Sequence, residues 1–86
     1  NVETPNPSKQ KLYVFLDKKQ RKGKQVTIVE GFVGMDDDLK DLGKKLKSKC
    51  GVGGTVKNGE IMLQGDFKTK VFNILVDLGY NCKVKG

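Results

Sequence analysis

Apolar residues first gather between Leu12 and Leu16, where Leu12, Val14 and Leu16 alternate with Tyr13 and Phe15. A period of two in a run of β-branched and aromatic residues predicts a strand with two unlike faces. The polar run DKKQRKGK interrupts this pattern, which resumes in QVTIVEGF, where Val26 and Ile28 alternate with Thr27 and Val29 as a second strand. Two strands joined by such a run predict a hairpin with a long basic tip.

The period then changes. Leu39, Leu42 and Leu46 recur at intervals of three and four, Cys50 extends their stripe, and together they predict one face of a helix. Asp36, Asp37 and Asp38 stand at its positive end, and Lys44, Lys45, Lys47 and Lys49 stand toward its negative end. Gly43 falls inside this helix, at a cost of about 1 kcal/mol relative to alanine. CGVGG supplies glycines to stop it, and Thr55-Val56-Lys57 starts a short strand. Asn58-Gly59 follows, and between Val56 and the run Glu60 to Leu63 it predicts a two-residue type I′ hairpin. Asp66 is placed to cap a second helix, with Phe67, Val71, Ile74, Leu75 and Leu78 as its stripe and Gly79 at its end. Tyr80, Cys82 and Val84 alternate in a last strand. The order ββαββαβ contains, after its first strand, the βαββαβ split plait. The fold class expected is α+β: a two-layer ferredoxin-like plait with two helices on one face of a five-stranded mixed sheet.

Residues 1–10 hold both prolines and few apolar side chains, so they read as a flexible tail, with a single domain over 11–86. Eighty-six residues suffice for one modest core and no large enzyme cleft. No apolar run reaches the roughly 18 residues that cross a bilayer, and no membrane partner is expected. No signal peptide is visible, although the chain opens at Asn1 rather than Met, which leaves room for a segment upstream.

Charge narrows the function. Seventeen Lys or Arg against ten Asp or Glu give a net +7, which favours a polyanionic partner. Arg21 is the one arginine among them. Lysine is a hydrated point charge suited to phosphates, whereas arginine's planar fork is the usual reader of guanine edges, so backbone contact is favoured over base reading. Histidine is absent, which removes the commonest general base and zinc-binding nitrogen. Cys50 and Cys82 are too few for a structural zinc site; they read as two reduced thiols or one disulfide. No cofactor or metal is called for.

The densest candidate site is Lys18, Lys19, Arg21, Lys22 and Lys24, five cations in seven residues at the hairpin tip. Such crowding suits a polyanion and equally suits a solvated loop. Lys40, Lys44, Lys45 and Lys47 fall outside the leucine stripe, either as a second contact surface or as compensation of the helix dipole. Gly51-Val52-Gly53-Gly54 leads from helix into strand, the reverse of a phosphate-cradling loop. The three aspartates lack EF-hand spacing and read as helix-starting residues. Tyr13 and Phe15 could stack bases as in RNA-recognition sheets, but the accompanying motif is missing and both read as packing residues.

KGKQVTIVEGF, the acid-started helix leading to KCGVGGTVKNGEIMLQGDFKTKV, and the closing LGYNCKVKG resemble the translation initiation factor SUI family, particularly its bacterial YciH-like branch, over roughly residues 11 to 86. The resemblance implies the plait described above and a cytoplasmic, non-enzymatic, RNA-binding monomer. It implies docking on the small ribosomal subunit near the P site, where initiator tRNA meets the start codon. Ribosomal RNA is the implied partner of Lys18, Lys19, Arg21, Lys22 and Lys24 and of Lys40, Lys44, Lys45 and Lys47; initiator tRNA and other initiation factors are further candidates. Eukaryotic members carry a longer loop toward initiator tRNA where this chain has the minimal turn Asn58-Gly59, so contact from that side is not carried over. The rival in the binding class is a general RNA or DNA module with no ribosome specificity. The enzymatic rival, a small plait acylphosphatase, lacks here both its Gly-x-Val-Gln-Gly-Val loop and the arginine beside it.

Overall fold

A computed structural model describes residues 4–17 and 25–85. A 3-10 turn at Pro7–Lys9 leads into β1 (Lys11–Asp17), followed by β2 (Val26–Glu30), α1 (Asp36–Cys50), β3 (Gly54–Lys57), β4 (Glu60–Gln64), α2 (Lys68–Asp77) and β5 (Asn81–Val84). The order ββαββαβ is the one the hydrophobic periods predict. The strands form one sheet in the order β3-β4-β2-β1-β5. β1 runs antiparallel to β2 and parallel to β5, so the additional first strand is inserted between the two strands that a four-stranded plait would pair directly. β4 joins β2 to the edge strand β3 by antiparallel pairing on both sides.

Register separates two faces. Val14 pairs with Val29, Val29 with Ile61 and Ile61 with Val56, and this row lies under the helices. The core joins Leu12, Val14, Val29, Ile61 and Leu63 of the sheet to Leu39, Leu42, Leu46 and Cys50 of α1 and to Val71 and Leu75 of α2. The leucine stripe is therefore buried as its spacing predicts, and burial of each large aliphatic side chain stabilises by about 1.5–3 kcal/mol.

The turns follow local chemistry. Asn58 and Gly59 both take positive φ, 53° and 76°, the pair of values a type I′ turn requires. Gly51 ends α1 at φ 68°, with its N–H donating to Lys47 O. Gly43 is explained by space: a Cβ there would lie 2.6 Å from Val56 Cγ2, so α1 approaches β3 more closely than alanine permits.

Two local expectations need correction. Asp66 does not cap α2; the cap position belongs to Phe67, without a side-chain bond of its own. Instead the Thr27 hydroxyl, reaching across from β2, accepts the Phe67 N–H at 2.9 Å and donates to Gly65 O at 2.7 Å. Asp66 Oδ1 accepts only a long bond, 3.4 Å, from the Lys68 N–H. At the other end Leu78 is the cap, and Gly79 follows it with φ 94°. Within the segment read as a tail, residues 4–10 carry specific contacts. Gln10 is only 2% exposed. Its Oε1 accepts the Val33 N–H at 2.9 Å, and its Nε2 donates to Pro5 O at 3.1 Å. Thr4 Oγ1 accepts the Met35 N–H at 2.9 Å and donates to Asp38 Oδ2, which serves the start of α1 in place of a capping side chain from Met35.

Candidate nucleic-acid interface

Chain direction sets where the cations fall. β2 ends at Glu30 and α1 starts at Asp36, so the acidic first turn sits at one end of the sheet. α1 then runs back and delivers the chain to Gly54, which pairs with Leu63, while Gln64 donates to Gly53 O at 3.0 Å. Gln64 in turn pairs with Val26, and Val26 with Asp17. The basic end of α1 thus lies at the end of the sheet where β1 hands over to residues 18–24. Lys18, Lys19, Arg21, Lys22 and Lys24 themselves lie outside the described residues.

On α1 the four candidate lysines divide between two flanks. At about 100° per residue, Lys40, Lys44 and Lys47 fall within one arc, and Lys45 falls with Lys49 on the opposite flank. Gly43 lies beside the first arc and faces Val56, so that flank borders the edge strand β3. Lys40, Lys44 and Lys45 are exposed and Lys47 is half-buried. Between described residues the ion pair present is Lys85 Nζ to Glu30 Oε2 at 2.7 Å, away from this end, so none of these four lysines is neutralised by a described carboxylate. The surface can present separate ammonium groups to successive phosphates.

The remaining chemistry is sparse. A recess beside this end is lined by Gln25, Val26, Gly54, Thr55, Met62, Gln64 and Gly65, which offer amides and a hydroxyl but no titratable side chain. Among the described residues no cluster of His, Cys, Asp and Glu could hold a metal ion. Cys50 and Cys82 are free thiols, and burial pushes the pKa of each upward, which keeps them protonated and unreactive near neutrality. Tyr80 is raised as well, first by burial and then by the nearby Asp38 carboxylate. Among the described residues no helix is long and apolar enough to cross a membrane.

The opposite face of the sheet carries the two aromatic residues of β1. Tyr13 and Phe15 lie half-buried there, with Lys85 Nζ 5.3 Å and 5.2 Å from their ring centroids. Alternation along β1 signalled their shared face; the position of Lys85 depends on the parallel pairing of β5, which no local pattern encodes.

Comparison with known proteins agrees with this architecture. The family described as "Translation initiation factor SUI1" matches residues 8–81. A "Protein translation factor SUI1 homolog" of Sulfurisphaera tokodaii is 53% identical over 62 residues, 72% of this chain and 62% of that protein. Homologues of the same description from Thermococcus onnurineus and Methanocaldococcus jannaschii are each 49% identical over 72 residues, 84% of this chain and 72% and 69% of theirs. The chain thus spans about two thirds of the length of these relatives. These relatives are of archaeal type, and the matches support the family without singling out the bacterial YciH-like branch. With most of its length matched, the chain belongs to the SUI1 family of translation initiation factors.

Proposed function

We propose that this protein docks on the small ribosomal subunit near the P site and modulates start-site selection, gripping ribosomal RNA through lysine-phosphate contacts. The observation that carries this reading is the convergence of an unneutralised lysine surface on α1 with the attachment points of residues 18–24 at one end of the sheet. Counterion release supplies the binding energy, and the packed plait fixes the spacing between the two basic elements. The factor needs no catalytic group for this task, acts in the cytoplasm, and brings initiator tRNA and other initiation factors within reach as partners.

Co-sedimentation with small subunits tests the reading. Replacing Lys18, Lys19, Arg21, Lys22 and Lys24 together by alanine removes most binding while circular dichroism stays unchanged. Excess bulk RNA leaves the wild-type complex in place. Unchanged sedimentation of the variant refutes the role of these residues, and loss of the wild-type complex to bulk RNA makes the protein a general polyanion binder.

A further inference from the structure

The sheet face turned away from the helices carries a second chemistry. Tyr13 stands in register with Glu30 on one side and Lys83 on the other, and Lys11 shares its face two residues earlier. Phe15 continues the row through Ile28 to Met62, which lines the recess ending in Gln25 and Gln64. The two neighbouring rings thus share their face with three lysines, Lys11, Lys83 and Lys85, and with two carboxylates, those of Glu30 and of Asp17 two residues beyond Phe15. Among the described residues no helix or strand lies over the rings. The Lys85 side chain lies over them, 49% exposed and just past the end of β5, and is held to a Glu30 that is itself 30% exposed. An ion pair so open to water is weakly held.

From this arrangement we propose that the open face binds an unpaired stretch of RNA by stacking its bases on Tyr13 and Phe15. Lys85 swings off the rings as a base arrives, and its ammonium joins those of Lys11 and Lys83 at the flanking phosphates. Rings supply sequence-tolerant stacking because every base has a π-face, and surrounding lysines supply the backbone contact. Three lysines against two carboxylates leave a net positive charge beside the rings, which favours a polyanion over an apolar peptide for this face. The proposal deepens the RNA-binding reading and rests on it, but places the base contact on the sheet face rather than on α1 and the basic tip.

The test compares an octamer of adenylate with an abasic octamer carrying the same phosphates, by fluorescence anisotropy at low salt. Each stacked base should favour the adenylate oligomer by about 5- to 150-fold. Tyr13→Leu with Phe15→Leu keeps apolar bulk on the sheet; this pair should bring the preference to about one and leave abasic binding unchanged. Should that variant fail to fold, the wild type still decides by NMR, since stacking moves the ring protons of Tyr13 and Phe15 upfield during the adenylate titration. Equal affinity for the two oligomers, unmoved ring protons at saturation, or no binding of the adenylate octamer overturns the proposal. Subunit docking is scored separately by co-sedimentation of the basic-tip variant, so either reading can fail without the other.

Discussion

Replacing Gly43 by alanine sets two effects of opposite sign against each other. Alanine in place of a mid-helix glycine gains about 1 kcal/mol of helix propensity. The added methyl, however, would sit 2.6 Å from Val56 Cγ2, well inside the roughly 3.5–4.0 Å of ordinary carbon contact, with Ile61 Cγ1 and Cγ2 at 3.8 Å on its other side. Val56 is β-branched and stiff about χ1, so it cannot turn away cheaply, and α1 must lift from the edge strand. Overpacking of this kind costs about 1–3 kcal/mol, which outweighs the propensity gain by about 1 kcal/mol. For a domain of this size the melting temperature then falls by about 4–8 °C per kcal/mol. Thermal melts by circular dichroism in two backgrounds decide the matter. Gly43→Ala lowers the Tm of the wild type but raises it where Val56→Ala has already opened the space, a coupling that independent sites do not show. A higher Tm in the wild-type background, or the same shift in both, refutes the close-approach argument.

Thr27→Val keeps the shape of a buried side chain but leaves Gly65 O and the Phe67 N–H without their partner, and urea denaturation should show a loss of about 2 kcal/mol that Thr27→Ser largely restores. Replacing Lys40, Lys44, Lys45 and Lys47 together by alanine should flatten the slope of log affinity for small subunits against log salt by roughly 3 to 3.5; an unchanged slope removes α1 from the interface. Burial raises the thiols of Cys50 and Cys82 and the phenol of Tyr80, so the folded chain holds these protons more tightly than the unfolded chain. That contribution is complete below the unfolded values, about 8.5 for a thiol and about 10 for a phenol, and is lost as pH rises through the folded ones. The Tm should therefore decline from about pH 8.5 upward, and a Tm that climbs between about pH 8.5 and 10 contradicts the assignment.

Strong periodicity made most of the fold legible. The leucine stripe of α1, the alternation in β1 and the Asn58-Gly59 turn each combine a local pattern with a burial that rewards it, so the sequence and the structure agree there. What the sequence hid is held by polar atoms acting across long separations. Thr27 caps α2 from 40 residues away, and Thr4 reaches Met35 from 31. Neither hydroxyl leaves a mark on hydrophobic periodicity, and Asp66, with suitable chemistry at a suitable position, drew the capping assignment instead. The contacts of Gln10 are equally invisible, because a buried amide satisfied on both ends is indistinguishable in sequence from a solvated one. The α1 lysines were legible as residues but not as a surface: their division into two flanks, and the end of the sheet to which they point, depend on the approach of Gly43 to Val56 and on the pairing of Gly54 with Leu63.

Dipole compensation and phosphate binding, which compete as explanations of those lysines in the sequence, cease to be alternatives in the folded molecule. The dipole favours acids at the Asp36 end of α1 and cations at the Cys50 end. Because β2 enters and β3 leaves at opposite ends of the sheet, the same charge order directs the cationic end of the helix toward the junction with residues 18–24. One arrangement of charge thereby serves both the stability of α1 and the field that a polyanion meets. The two contributions remain separable by measurement. Loss of dipole compensation costs about 0.3–1 kcal/mol of stability at low ionic strength for each charge in the last turn, which lowers the Tm, and salt screens it. Loss of a phosphate contact leaves the Tm of the free protein alone and appears in the salt slope of binding. Lys40, two turns or more from the helix end, is the discriminating position: its replacement should reduce the slope while leaving the low-salt Tm unmoved, and a fall in Tm with an intact slope would assign it to the helix alone.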